Sequence, residues 1–149
     1  GQGDVGEKTP HKVGVKLLEL WLDSRDDVAQ VESYYEYDEE TVFDVAGLDA
    51  DGELVWVGEA ELASNNKHAP VDDYDKQSAV DANAVWAFNR RETAVEVLDC
   101  LSEADRIESS VSGRAARSFS DIREAVESFD AAGLTTIRSF NKLDQELNT

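Results

Sequence analysis

Apolar residues along this chain recur in two rhythms. Near the N-terminal end Val13, Leu17, Leu20 and Trp21 follow the three- and four-residue spacing of an amphipathic helix, with Glu19 set among them. Thr9-Pro10 offers an N-cap followed by proline at the first helical position. The helix is therefore expected to open there and close near residues 23–27, with residues 1–8 as a flexible leader. The rhythm then switches to alternation. Residues 28–37 are aromatic and alternating, the turn-like Asp38, Glu39 and Glu40 follow, and residues 41–48 and 53–62 read as two further strands. A polar loop is expected over residues 63–70 and a helix over residues 72–81. Ala84, Val85, Trp86, Ala87 and Phe88 form an unbroken apolar run, expected of a strand buried on both faces. Asn89 and Glu92 stand at capping-box spacing for a helix reaching about residue 101. After an irregular stretch, residues 102–117, a helix over residues 120–132 should end at Gly133 as its C′ residue. A strand over residues 134–140 and a frayed helical end complete the pattern. With no internal repeat and no composition break, residues 9–149 read as one α/β domain.

The pair of strands around Asp51-Gly52 carries the most chemistry. If Asp51-Gly52 form the two-residue turn that Asp-Gly favours, Ala50 faces Glu53 and Asp44 lies directly opposite Glu59. Glu61 then points to the same face as Glu59, about 6–7 Å further along the strand. A four-residue loop would leave Asp44 and Glu59 diagonal neighbours on one face, whereas a three-residue loop would break the geometry. Like charges directly opposite are destabilising, so three acids converging between apolar runs call for a counter-charge. A divalent cation with oxygen ligands would supply it. The plain alternative is that these are acids at a sheet edge in a chain rich in acids.

That richness is extreme: 33 Asp plus Glu stand against 14 Lys plus Arg, for a formal net charge of −19. Hydrophobic residues still make up 41% of the chain, and their periodicity argues against a disordered acidic tail. An acidic folded surface suits a cytoplasm at molar salt, where the Debye length falls to about 3 Å and self-repulsion is screened. The expectation is a cytoplasmic protein of a halophilic archaeon, whose acidity reports habitat and does not exclude nucleic acid. The single cysteine, Cys100, excludes an internal disulfide and a Cys-based zinc site, and its helical spacing suggests a buried structural thiol. No apolar run approaches the length of a membrane span, about 18–20 residues. The absence of methionine suggests a piece of a longer polypeptide.

Other residues invite weaker readings. Residues 1–6 match the dinucleotide-binding fingerprint, but no strand precedes them, so the match carries nothing. His68 reads as a solvated loop histidine and His11 as a first-turn surface residue. From residue 105 to 123 there are four arginines against three acids, a local reversal of the global charge. Arg114, Arg117 and Arg123 are therefore candidates for phosphate contact, against the simpler reading of pairing with the acidic surface.

The order helix, three-strand meander, helix, strand, with acids on the second and third strands, resembles the restriction-endonuclease-like, or PD-(D/E)XK, nuclease superfamily. The likeness spans residues 9–101, about two thirds of the chain. It implies an αβββαβ core in which a mixed central sheet is flanked by helices. It also implies a site in which Asp44 and Glu59 bind magnesium or manganese and water attacks a DNA phosphodiester. Glu61 occupies the position of the family's lysine, a departure. Some members carry the cationic or amide group on the following helix, where Lys76 and Gln77 stand. Glu19 matches a metal-site acid of archaeal Holliday-junction resolvases. By the same likeness the chain is similar to nuclease-like domains of DNA-processing ATPases. DNA is the expected partner, with such an ATPase or the rest of a longer chain and a homodimer as further partners, and no membrane. The missing lysine leaves open a non-catalytic DNA-binding or assembly module of the same fold.

Overall fold

The apolar run at the centre of the chain becomes β4 (Asn83–Phe88), whose residues from Ala84 to Phe88 are all buried. The computed structural model describes residues 5–62, 69–108 and 118–147, with side chains over 10–62, 69–108 and 118–145. Around β4 the remaining strands add in chain order: β1 (Gln30–Glu36), β2 (Val42–Leu48), β3 (Leu54–Glu61) and, beyond β4, β5 (Thr136–Ser139). The meander β1–β2–β3 is antiparallel, whereas β3–β4 and β4–β5 are parallel. The fold is thus a mixed α/β sheet flanked by helices, and the C-terminal ends of β3, β4 and β5 lie along one edge of it.

Successive residues of β4 alternate between two cores. Val85 and Ala87 join Val15, Leu18 and Leu22 of α1 (Val5–Asp23), together with Leu143 of α5 (Phe140–Leu147). Trp86 and Phe88 join Leu98 and Leu101 of α3 (Arg91–Glu103), together with Ile122 and Val126 of α4 (Phe119–Glu127). α1 departs from its expected stripe. Val15, Leu18, Trp21 and Leu22 face the sheet, while Val13 is 48% exposed and Leu20 40% exposed. Apolar residues surround this helix on more than one side, so spacing alone could not choose the inward face. The helix also begins at Val5, placing Pro10 inside it at the cost of one intrahelical hydrogen bond.

The other helix ends follow local chemistry. α2 (Ala69–Ser78) starts earlier than expected, with Pro70 in its first turn. The expected capping box of α3 does not form. Arg90 is the N-cap without a side-chain bond, and Asn89 Oδ1 instead accepts the Thr93 hydroxyl at 2.7 Å. Ser118 caps α4 in a reciprocal box with Asp121. That helix stops at Glu127, and Gly133 is no C′ residue: a Cβ there would lie 2.6 Å from the Tyr74 carbonyl oxygen, and the Gly133 carbonyl accepts Trp86 Nε1 at 2.8 Å. Cys100 is half-buried rather than buried.

The β2–β3 turn differs from the expected one, yet reaches the same register. The Asp49 N–H bonds to Glu53 O at 2.8 Å and the Gly52 N–H to Asp49 O at 3.0 Å. The loop therefore holds three residues, with Gly52 at φ 82° as the left-handed position. Such a loop displaces the strands by one residue. A bulge restores them: Leu48 pairs with Leu54, but Gly47 pairs with Trp56, Ala46 with Val57 and Val45 with Gly58. Val55 is the extra residue.

Gly58 sits where no side chain fits. A Cβ there would lie 2.8 Å from Val45 Cγ2, 3.0 Å from Val85 Cγ1 and 3.2 Å from the Val85 carbonyl oxygen. Two β-branched neighbours and a backbone atom cannot rotate away. Gly58→Ala should lower unfolding free energy by about 1–3 kcal/mol through overpacking. Chemical denaturation at fixed salt measures this, and a wild-type midpoint would contradict the packing described.

Candidate active site

Beyond Val45 the β2–β3 ladder ends, and the alternation of β2 breaks at Asp44. Val45 packs with Trp56 and Ala60 on the α1 side, whereas Phe43, two residues earlier, packs with Val57 and Val80 on the opposite side. Regular alternation would keep Phe43 and Val45 on one face. Opposite the break, Tyr34 of β1 has a positive φ of 50°. Asp44 occupies the gap between the strands. Its Oδ2 accepts the Ala60 N–H at 2.9 Å, so a side chain replaces a backbone partner in the ladder, and it lies 3.0 Å from His11 Nε2 of α1.

From Asp44 a connected set of charges runs across the end of β3 to α2. Asp44 and Glu59 share a side-chain hydrogen bond, as do Glu61 and Asp73. Lys76 lies between the two pairs. Its Nζ contacts Glu59 Oε1, approaches Asp73 Oδ1 to 3.5 Å, and donates to the Val42 carbonyl at 2.7 Å. The Glu59 contact is ionic rather than a well-aimed hydrogen bond, since that oxygen has no partner meeting hydrogen-bond geometry. Nζ also lies 5.4 Å from the Phe43 ring centroid, a cation–π contact. The helical i, i+3 spacing presents Asp73 and Lys76 together, while Tyr74 and Gln77 turn into the core.

Protonation follows from crowding. Burial, then the adjacent Asp44 charge, hold the Glu59 carboxyl well above its ordinary value; Lys76 opposes them without prevailing. Burial and the Asp73 hydrogen bond push Glu61 up to about 11. Burial also works to raise Asp44, but hydrogen bonds from His11, Glu59 and the Ala60 N–H outweigh it and hold that carboxyl below the usual range. Lys76 is held above its ordinary value: burial favours the neutral amine, and the Glu59 and Asp73 charges overcome it. Glu59 and Glu61 thus hold their protons more firmly than free carboxyls do, which lessens the negative charge that Lys76 must offset.

Asp44, Glu59, Glu61 and Lys76 thus come together. Gln77 does not join them; its amide donates to Gly133 O at 3.3 Å in the core. Glu19 also stands outside the network. It lies 3.5 Å from Lys16 and acts, with Asp44, to raise the Tyr34 hydroxyl, for which burial is the larger cause. Arg123 is on α4, apart from these carboxylates, and Arg114, Arg117 and His68 lie outside the described residues. Asp73 joins the network as the ion-pair partner that its i, i+3 relation to Lys76 leads one to expect. His11, expected at the surface, belongs to the inward stripe because it precedes Val15, Leu18 and Leu22 by four, seven and eleven residues.

Among the described residues no group of three or more His, Cys, Asp or Glu side chains is disposed to hold a metal ion; the counter-charge present is Lys76. No helix among the described residues is long and apolar enough to cross a membrane. Comparison with protein-family models, with curated proteins and with solved structures yielded no match.

A raised carboxyl pKa gives stability a definite pH sign. Below the ordinary value, 4.5, Glu61 is protonated in both folded and unfolded chains; between 4.5 and about 11 only the folded chain holds the proton. The contribution of Glu61 is fully present at low pH and is lost as pH rises through that window. Glu61→Gln keeps the shape and removes the titration. It should raise unfolding free energy at pH 8 by about 1–3 kcal/mol and flatten its fall between pH 6 and 9. Denaturant melts across that range test this, and equal slopes for both proteins would contradict it.

Proposed function

We propose that this chain is a restriction-endonuclease-like nuclease domain that hydrolyses DNA phosphodiester bonds with magnesium or manganese, as part of a larger DNA-processing protein. The observation that carries the reading is the meeting of Asp44 from β2, Glu59 from β3 and Lys76 from the following helix at one end of the sheet. The element order α1, β1–β2–β3, α2, β4, with β4 parallel to β3, supports the αβββαβ core. The departure at Glu61 weighs less once Lys76 reaches the same carboxylates from α2. Glu61 itself, held protonated beside Asp73, offers a neutral O–H donor where the family's lysine would offer N–H.

The donor chemistry fits a hard cation. Asp44, Glu59 and the Ala60 carbonyl provide only oxygen ligands, and Glu59 Oε1 is buried without an aligned hydrogen-bond donor. A cation held there would supply Lewis-acid polarisation of a phosphoryl oxygen. The protein groups do the rest. Asp44 and Glu59 would hold the cation, and its charge would favour the ionised form of both carboxyls. Lys76, steadied by Asp73 and the Val42 carbonyl, offsets charge developing on the phosphoryl oxygens. His11, 3.0 Å from Asp44, fixes that carboxylate and can hold a proton beside it.

Cleavage should be sought at high salt, because repulsion between DNA and a chain of net charge −19 is screened only there. In about 1–3 M KCl with magnesium, branched or single-stranded DNA should be nicked or cut. Glu59→Ala should abolish cleavage, and Lys76→Ala should reduce it by about 10²–10³-fold. Folded protein that stays silent on several DNA structures would favour the non-catalytic DNA-binding or assembly module, in which Lys76 permanently neutralises the acids.

A further inference from the structure

A cleft of about 210 Å³ opens where the first turn of α4, the end of β5 and the first turn of α5 meet. Three of the chain's 14 basic residues line it, Arg123, Arg138 and Lys142, and among the described residues no acid does. In so acidic a chain that segregation is opposite to what the average surface offers. Among the described residues, no carboxylate lies within ion-pairing distance of Arg123 or Lys142, although acids elsewhere claim Lys16, Lys76, Arg25 and Arg106. Arg138 is fixed differently. It stacks 5.2 Å from the Trp21 ring centroid, bonds to Thr136 Oγ1 at 2.7 Å and shares its charge with Glu127 at 3.8 Å. It stiffens the wall and leaves Arg123 and Lys142 to contact a ligand.

Ser120, Ser139 and Asn141 also line the cleft and add short polar groups, and Ser139 caps α5 by accepting the Lys142 N–H at 3.1 Å. Two helix N-termini converge on the same space; Ser118 and Ser139 each cap one of their N–H groups, and the remaining first-turn N–H groups favour negative charge. Bidentate arginine, a lysine point charge, hydroxyls and helix N-termini together make the donor set for a phosphate group.

Position identifies what bears that phosphate. Ser139 pairs with Phe88 and Phe88 with Glu61, so the cleft lies two strands from the carboxylate network, at the same end of the sheet. Two strand spacings are about 10 Å. We propose that the cleft is a phosphate-binding subsite for a nucleic-acid strand, gripping a backbone phosphate a few nucleotides from the bond facing Glu59. The subsite stands on the cleft's own charge and geometry; the choice of a nucleic-acid strand over another phosphate bearer rests on the nuclease reading above.

The test is fluorescence anisotropy with a labelled single-stranded DNA of about 15 nucleotides, titrated with the whole chain over a series of KCl concentrations. Arg123→Ala/Lys142→Ala should weaken binding at least about tenfold and lower the slope of log K against log salt by about 1.4. Lys12→Ala/Lys16→Ala, which removes the same charge from an exposed face of α1, should change affinity by less than about twofold. Circular dichroism establishes that both variants are folded. Unchanged affinity in Arg123→Ala/Lys142→Ala, equal weakening in both double variants, or no binding by wild type would each overturn the subsite. So would inorganic phosphate shifting the Arg123 and Lys142 resonances while failing to compete with the DNA. The two readings fail separately. Strand binding through the cleft without cleavage keeps the subsite and removes hydrolysis, whereas cleavage with wild-type affinity in Arg123→Ala/Lys142→Ala keeps hydrolysis and removes the subsite.

Discussion

Lys76 is the interaction on which the arrangement depends. Four carboxyl groups, Asp44, Glu59, Glu61 and Asp73, meet at the end of β3, where Glu59 is 3% exposed. Four negative charges crowded at this buried and half-buried site would cost more than the marginal stability of a domain this size. The chain contains the cost in two ways. Glu59 and Glu61 hold their protons more firmly than free carboxyls do, and one ammonium sits between the pairs. The same ammonium ties α2 to β2 through the Val42 carbonyl and the Phe43 ring. The group that neutralises the site is thus also a group that docks its helix.

The sheet bends its own rules to make this possible. Were β2 to alternate regularly through Asp44, Phe43 would lie with Val45 on the α1 face and be lost to Val57 and Lys76. The break at Asp44 gives Phe43 to one core and Val45 to the other. It leaves the aspartate between strands, where the Ala60 N–H and His11 favour its charged form beside a neighbour whose carboxyl is pushed up. Paired acids of unequal pKa, next to a lysine and a histidine, form a common arrangement for moving protons and stabilising charge. That correspondence links the fold to the hydrolytic reading.

Much of this was legible in the sequence, though one part was reached by the wrong route. The strands stand close to where they were expected: alternation placed the meander and an unbroken apolar run placed β4, because both patterns are local and strong. The meeting of Asp44 with Glu59 was expected from a two-residue Asp51-Gly52 turn. A three-residue loop and a compensating bulge at Gly47/Leu48 bring the two strands back to the expected register. The inward face of α1 was not legible, since apolar residues lie on several sides and only the sheet selects Val15, Leu18 and Leu22. His11 was misjudged for the same reason. The end of α4 was placed too late because Gly133 signals close packing against Tyr74, not a helix cap. Spacing on the strands asked for a counter-charge without fixing its source; Lys76 of α2 lies beside Glu59 and Asp73, and only the family resemblance had pointed to that helix.

The most direct test is anomalous diffraction from crystals soaked in manganese. A site that binds the catalytic cation must exchange its internal charge for an external one. The account predicts an anomalous peak between the Asp44 and Glu59 carboxylates, with Lys76 Nζ withdrawn from Glu59 toward Asp73. A fully soaked crystal with no peak there, and with Lys76 still resting on Glu59, would contradict it.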